Sequence, residues 1–406
     1  MKKIANKPTM LFYGDSPEAT TGLGRLHRYL LRDFMQWFDI TFVAVNHHKV
    51  ILSPEGSYPI YDQEKYPIKL ISTYPSQDVF CLEPMAKILD TQPFDYIFTS
   101  HDMQNIMKFA ENIERNKRRH GGKWFNYTPI DRKYVLKEEM GYDLPDKTIT
   151  LSKYGMKKIK SVFKDVDVDY IHHPLYLEDF PEVEQKEIDD FKKEYFMKFG
   201  TGNYKILANF NRNQPRKDLV RTCLVYDRLR KKVPNLKLYL HTKAQDVAGD
   251  LTATFLELGL NPSDVQTAHF PSASSGVKQE ILNLIYRSCD VGVSTSTGEG
   301  FGYTTVEYFA TKLPTVLPDN TSFTELVGEN EERGLLAECN DIAVDYGFTS
   351  VMRDRVSIDD MVKKLEYLFN HPKETQERTD RAYKFVETKL NPEYIAQKWK
   401  KIFSLQ

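Results

Sequence analysis

The sequence predicts an α/β protein made of two doubly wound domains. Short apolar runs alternate with amphipathic stretches, the alternation restarts in the second half, and a charged segment bounded by prolines separates the two series. In the first series the expected strands are 10–13, 40–45, 69–72, 96–100, 124–128, 148–152 and 169–172. Each is a short run rich in β-branched and aromatic residues. Helical spacing of apolar residues predicts helices over 24–34, 104–118 and 154–163. The second series reads as strands 205–210, 236–241, 265–270, 291–294 and 315–317, with helices 217–232, 278–287 and 303–311. Between them, Pro174 and Pro181 interrupt regular structure, and 182–198 is charged with no strand pattern. The expected division is a first domain over 1–175, a linker over 176–200, a second domain over 201–385 and a closing helix over 386–406. In that last segment Tyr394, Ile395, Trp399 and Ile402 recur at helical spacing, as in a helix packing back on the first domain.

Composition narrows the function class. The chain has 406 residues, 56 Lys+Arg against 57 Asp+Glu, 41% apolar and 28% charged residues, so no whole-molecule charge calls for a polyanionic partner. Its four cysteines, Cys81, Cys223, Cys289 and Cys339, lie far apart with no CxxC, which argues against a zinc ribbon or a disulfide framework and for reduced thiols. No apolar run approaches the ~18 residues of a membrane span, and Met10–Tyr13 is too short for a signal peptide. The expected location is the cytoplasm. Asp165, Asp167 and Asp169 imitate a DxD metal motif but read as a turn into a strand. The pairs His47-His48 and His172-His173 point to opposite faces of an extended chain, a poor metal geometry. Asp341 and Asp345 read as a solvated turn. No metal site is expected.

The richest stretch is Ser294-Thr-Ser-Thr-Gly-Glu-Gly-Phe-Gly-Tyr-Thr-Thr-Val-Glu307. A strand ends, a glycine turn follows and a helix opens near Tyr303, so unsatisfied amides there form an anion site. Gly298, Gly300 and Gly302 allow close approach to the main chain. Glu299 in the turn and Glu307 one helical turn inside suit hydroxyl-rich groups, because a carboxylate accepts from two adjacent hydroxyls.

Glu299 and Glu307, followed by Tyr-Phe-Ala-Thr-Lys-Leu-Pro-Thr-Val, resemble the E-x7-E signature of family 4 retaining glycosyltransferases. The resemblance implies the GT-B fold: two Rossmann-like domains facing across a cleft, with a C-terminal helix crossing back to the first. It implies an N-terminal acceptor domain, a C-terminal nucleotide-sugar domain, and no cofactor beyond the nucleotide-sugar itself, UDP-sugar ahead of GDP-sugar. By the same resemblance Glu307 holds the ribose, Glu299 sits by the donor sugar, and the main chain at Gly300, Phe301, Gly302, Tyr303 and Thr304 meets sugar and phosphate oxygens. Arg212 and Lys217, in Leu207–Lys217 after the first strand of the second series, match the cations that hold the diphosphate, where fixed charge would stabilise the leaving group. Arg216 is read as a surface residue. The resemblance further implies that the loop with Gly22 and Gly24 borders the diphosphate, that Asp15 or Arg25 meets the acceptor, and that His101, at the end of strand 96–100, lines the sugar site. Asp131, in Tyr127-Thr-Pro-Ile-Asp131, is an acceptor-side candidate.

The acceptor is less legible. From Lys108 to Lys164 there are fifteen Lys+Arg against seven Asp+Glu, a surplus of eight in a nearly neutral chain. Lys117, Arg118 and Arg119, with Trp124, Phe125 and Tyr127 behind them, suit phosphate contacts and base stacking. The composition also resembles phage-encoded members of the family, some of which glycosylate hydroxymethylated cytosine in DNA. That resemblance implies double-stranded DNA bearing 5-hydroxymethylcytosine as acceptor, glucose or a pentose such as arabinose as the sugar, and a host cytoplasm as the location. The rival is a cell-surface glycan or lipid-linked acceptor, whose anionic headgroups the basic stretch would meet. A nucleotide-sugar epimerase and a non-catalytic nucleotide-sugar-binding protein share the architecture.

Overall fold

The computed structural model describes residues 7–19, 21–47, 57–58, 68–73, 78–135, 141–268, 276–346 and 350–405. The chain forms two compact units. The first comprises 1–130, 134–174 and 395–406, the second 131–133 and 175–394.

The first unit is built on an eight-stranded sheet. Its strands are β1 (Thr9–Asp15), β2 (Asp39–Val45), β3 (Ser57–Tyr58), β4 (Ile68–Ile71), β5 (Tyr96–Ser100), β6 (Lys123–Thr128), β7 (Lys147–Thr150) and β8 (Val168–Tyr170). Their order is β3-β4-β2-β1-β5-β6-β7-β8, and every pairing is parallel except β3 with β4. Parallel strands need covering on both faces, and β1 meets this with an unbroken buried run from Met10 to Asp15. Helices Gly22–Trp37, Leu82–Thr91, Ala110–His120 and Lys153–Val162 provide the cover. Thr21 caps the first of these by accepting from the Gly24 amide at 2.9 Å. The expected helix over 104–118 is broken into Met103–Ile106, a short 3-10 turn and Ala110–His120. Helix Leu82–Thr91 has no counterpart in the sequence reading, because its apolar face is only Met85, Ile88 and Leu89.

The helix Pro392–Phe403 completes this unit. Trp399 is buried among Phe34, Phe98 and Tyr127, with ring centroids 4.9–5.5 Å apart, and Phe403 packs on Phe38, Tyr96 and Phe125. The same sheet buries Trp124, Phe125 and Tyr127. Asp165 lies in a turn and Asp169 in β8, and Lys147 pairs with Asp167 at 2.8 Å.

The second unit holds a six-stranded, fully parallel sheet of β9 (Lys205–Asn209), β10 (Leu236–Leu240), β13 (Val265–Thr267), β14 (Val291–Val293), β15 (Thr315–Pro318) and β16 (Leu335–Ala337), with a minute ribbon of β11 (Gln245–Asp246) and β12 (Gly249–Asp250). The order β13-β10-β9-β14-β15-β16 reverses direction between β9 and β14, which leaves a crevice at their carboxyl ends. Several features depart from the sequence reading: helices Leu251–Glu257, Ile358–Asn370 and Pro372–Lys389 have no counterpart in it, and the last takes up 386–389, so the closing helix expected over 386–406 begins only at Pro392. The charged segment 176–200, expected as a linker, contains the helix Gln185–Tyr195, and Phe196 and Phe199 behind it are buried, with Phe196 5.1 Å from Tyr239. Its charges face solvent while Ile188 and these aromatics anchor it. Asp341 and Asp345 do not form a turn. They lie in β17 (Cys339–Tyr346), antiparallel to β18 (Ser350–Val356) in a separate hairpin. Helices Ile358–Asn370 and Pro372–Lys389 follow. Among the described residues, no helix is long and apolar enough to cross a membrane.

Trp399→Ala removes the largest side chain from the aromatic cluster of the first unit. It should cost about 3–5 kcal/mol, read as a lowered denaturation midpoint, and a midpoint equal to the parent's would show that the tail is not part of that core.

Candidate functional site

In the second unit the chain returns twice to the crevice between β9 and β14. After β9, a buried polar network ties down the loop. Asn209 Nδ2 donates to Thr222 Oγ1 at 2.9 Å, Asn211 Nδ2 donates to Asn209 Oδ1 at 2.8 Å, and Thr295 Oγ1 donates to the Asp218 carbonyl at 2.9 Å. A short 3-10 turn, Pro215–Lys217, then delivers two cations before helix Leu219–Leu229. After β14 comes the glycine turn. Gly298 has no room for a Cβ, because the Asp131 carbonyl lies against it, and Gly302 at φ 100° opens helix Tyr303–Ala310. Ser322 Oγ lies 2.9 Å from the carbonyls of both Glu299 and Phe301, and Thr321 Oγ1 accepts from the Glu299 amide at 2.9 Å.

This framework places Glu299, almost fully buried, against Lys217 and Arg216. Arg216 Nη1 is 3.1 Å from Glu299 Oε2 and Arg216 Nε is 3.2 Å from Asp131 Oδ2, while Arg353 Nη1 is 3.5 Å from Asp131 Oδ1. Three cations thus surround two carboxylates. Burial works to raise the pKa of Glu299, but Arg216 and Lys217 outweigh it and hold it at about 2. Burial also pushes Lys217 down, to about 8, against the pull of Glu299. Asp131 is likewise lowered, since Arg216 and Arg353 overcome its desolvation. Glu307 is buried in the helix, and Tyr286 donates its hydroxyl to Glu307 Oε2 at 2.5 Å. Phe210 stacks on Tyr286 at 3.9 Å and on His241 at 5.1 Å.

Several expected site residues stand elsewhere than the sequence suggested. Arg212 is not in this cluster. It makes a two-pronged pair with Asp246 at 2.7 and 2.9 Å and is half exposed. Arg216, read as a surface residue, takes the inner position, because Asp131 and Glu299 offer it carboxylates there. Asp131, read as acceptor-side, belongs to the second unit and faces these cations. Gly300, Phe301, Gly302, Tyr303 and Thr304 do line the turn and first helical position, with Phe301 buried. Sequence reasoning passed over Tyr286 and Arg353, because nothing local marks a tyrosine that will meet Glu307 or an arginine that will meet Asp131.

In the first unit the strand order reverses between β1 and β5, and Asp15 ends the first of these while His101 follows the second. Asp15 is buried, accepts from Thr21 Oγ1 at 2.5 Å and Asn46 Nδ2 at 3.1 Å, and lies 3.5 Å from His101 Nε2. The Asp102 amide donates to His101 Nδ1 at 2.7 Å, so in the neutral ring the proton sits on Nε2, facing Asp15. Burial opposes charge on His101, but the Asp15 bond and Asp102 outweigh it and raise its pKa. His27 is a structural neighbour. Burial holds it near 4, its Nδ1–H donates to the Asp15 carbonyl at 2.7 Å, and Nε2 accepts from Ser100. Gly24, read as bordering the diphosphate, has the carbonyls of Ala19 and Ser16 in the space a Cβ would take, so close packing by itself requires glycine there. Gly22 opens the helix and is exposed, and Arg25 is half-buried on its first turn.

The basic stretch is partly spoken for. Lys117 bonds Glu114 at 2.9 Å and Asp146 at 3.0 Å, Arg119 reaches the Asp90 carbonyl, and Arg118 is exposed. All three sit in the last turn of Ala110–His120, where cations offset the helix dipole. Trp124, Phe125 and Tyr127 are buried in the first unit and present no stacking surface, which corrects that expectation. Lys137 and His48 lie outside the described residues. Among the described residues, no cluster of three or more His, Cys, Asp or Glu could hold a metal ion.

Residues 191–385 match the family model of glycosyl transferases, group 1. The second unit carries a group 1 glycosyltransferase domain. Such an enzyme transfers sugar from a nucleotide-sugar. No curated protein matches the chain. Three solved structures share its fold at low identity. Anabaena HepE, in complex with UDP and glucose, is 14% identical with a TM-score of 0.70 over 98% of this chain and 99% of that one. Sucrose-phosphate synthase from Thermosynechococcus elongatus is 13% identical, TM-score 0.72, over 98% of each chain. The α,α-trehalose 6-phosphate synthase from Burkholderia multivorans is 11% identical, TM-score 0.70, over 98% and 99%. The fold of the chain is therefore GT-B, with two Rossmann-like units.

Charge compensation around Glu299 is measurable as stability. Glu299→Gln should cost about 1–3 kcal/mol by leaving half-buried cations with one carboxylate fewer, and the Glu299→Gln/Lys217→Met double variant should cost less than the sum of the singles in urea denaturation. Additive costs would show that the pair is not coupled. Because the folded pKa of Glu299 is depressed, its contribution is complete above the ordinary Glu range and is lost as pH falls towards 2.

Proposed function

We propose that this glycosyltransferase moves a sugar, glucose or a pentose such as arabinose, from a UDP donor to an acceptor hydroxyl with retention of configuration. The observation that carries the reading is the buried Glu299–Lys217 pair at a glycine turn that opens a helix, with Glu307 one turn further in. A donor diphosphate seated there would meet the amides opening the helix at Tyr303 and Thr304, whose dipole favours anions, together with the point charge of Lys217. Glu307, its carboxylate oriented by Tyr286, accepts from the ribose hydroxyls, and Glu299 accepts from the donor sugar. Lys217 and the helix amides stabilise the charge that appears on the diphosphate as the glycosidic bond breaks, and the departing phosphate takes the acceptor proton. Arg212, paired with Asp246 on a mobile-length side chain, reaches the diphosphate only by exchanging that partner. In the first unit, His101 presents a ring whose proton is directed by Asp15, in keeping with a group that orients a sugar hydroxyl.

For the acceptor, hydroxymethylated duplex DNA rests on the resemblance and on exposed cations such as Arg118 and those of helix Lys153–Val162. The burial of Trp124, Phe125 and Tyr127 removes its stacking component and leaves a glycan or lipid-linked acceptor on equal footing. The deciding experiment incubates UDP- and GDP-sugars with hydroxymethylated duplex DNA, plain DNA and glycan acceptors, with mass spectrometry of the products. Transfer from a UDP-sugar with the anomeric configuration kept is the expected result. Conversion of donor without acceptor would identify an epimerase, and binding without turnover a silent binding protein.

The free enzyme should lose donor capture as Lys217 gives up its proton. kcat/KM for the donor is therefore expected to fall as pH rises through about 8. Lys217→Arg, which stays charged, should remove that fall, and a profile flat to high pH in the parent would contradict the role given to Lys217.

A further inference from the structure

We propose that Arg216 is a positioning residue of the donor site: anchored by Asp131 and Arg353, it braces the turn that carries Glu299. The inference rests on the reading above that Glu299 meets the donor sugar. Arg216 grips the turn with both its main chain and its side chain. Its carbonyl accepts from the Thr297 amide at 2.8 Å and from Thr297 Oγ1 at 3.1 Å. Its guanidinium donates to the Gly298 carbonyl, lies 3.1 Å from Glu299 Oε2 and 3.2 Å from Asp131 Oδ2. A planar fork committed to three fixed acceptors cannot turn to follow a ligand, whereas the flexible stem of Lys217 can.

The anchor comes from elsewhere in the chain. Arg353, on β18, donates to the Asp131 carbonyl at 2.6 Å and lies 3.5 Å from its carboxylate, and Lys133 pairs with Asp354 at 2.9 Å. The Asp131 carbonyl in turn abuts Gly298. On the same strand Arg355 Nε donates to Asp218 Oδ2 at 2.7 Å, beside Lys217. Charges therefore alternate along one row: Arg353, Asp131, Arg216, Glu299, Lys217. Each carboxylate lies between two cations, so Glu299 cannot swing away without separating opposite charges in a buried setting. The β17–β18 hairpin, which takes no part in the parallel sheet, thereby contributes to the construction of the site.

The test compares the parent with Arg216→Ala, Arg216→Lys and Asp131→Asn. Amide hydrogen exchange reports on the turn, and UDP-glucose and UDP serve as probes of the site. In Arg216→Ala, exchange at Thr297 and Glu299 should rise about tenfold or more while β9 amides are unchanged. UDP affinity should stay within about threefold, the preference for UDP-glucose over UDP should be lost, and turnover should drop about 10–100-fold. Arg216→Lys should recover part of the preference, and Asp131→Asn should lie between it and the parent. Unchanged exchange in Arg216→Ala overturns the proposal. So does equal weakening of UDP and UDP-glucose with exchange raised throughout the unit, which marks general loosening. A parent protein that binds neither probe sinks the UDP-donor reading instead, and the exchange data still judge the brace.

Discussion

A carboxylate with almost no access to water cannot remain charged unless cations stand beside it, and Glu299 sets that condition for the second unit. Lys217 and Arg216 supply the cations. They are themselves only half-buried, and Arg216 lies against a further anion, Asp131, which in turn pairs with the buried Arg353. The chain of compensation reaches from the β9 loop to the β17–β18 hairpin. It also explains the backbone. Gly298 is pressed against the Asp131 carbonyl, and Gly302 takes a left-handed conformation at the helix start, because the turn must bring Glu299 inward while leaving the helix amides at its mouth.

The location of this cluster follows from topology. Crossovers run one way from β9 to β10 and the other way to β14, so the loops after β9 and β14 part above the sheet and leave a hollow. The first unit repeats the arrangement between β1 and β5, and its own buried acid, Asp15, meets His101 there. Each unit thus places a carboxylate and a nitrogen base or cation at its point of strand reversal. In both, short polar side chains tie down the loops: Thr21 and Asn46 in the first, Thr222, Thr295 and Ser322 in the second.

Much of this was legible in the sequence. Apolar runs such as Met10–Tyr13 and Leu236–Leu240 are strands because both sheet faces are covered, and the seven residues between Glu299 and Glu307 form turn and helix. Pairing between distant residues was not legible. Nothing in Arg-Asn-Gln-Pro-Arg-Lys tells which arginine turns inward, since the answer lies with Asp246 for Arg212 and with Asp131 for Arg216. The hairpin was hidden by its acids, although Asp341-Ile-Ala-Val-Asp-Tyr346 carries the period-two alternation of a strand. Helix Gln185–Tyr195 was hidden by its charge, because Ile188 is its one buried residue. Trp124, Phe125 and Tyr127 looked like a surface for bases until the burial of β6 showed them facing protein.

The aromatic tail of the first unit bears on how the protein is made. Tyr96 and Phe403 are hydrogen-bond partners 307 residues apart, and Trp399 fills the space between Phe34 and Tyr127. While the polypeptide is still growing, the N-terminal sheet lacks the side chains that finish its interior, and the whole of 175–394 is translated before they appear. The first unit is thus the last to be completed in translation, and until then the trough that Trp399 and Phe403 fill has no cover from its own chain.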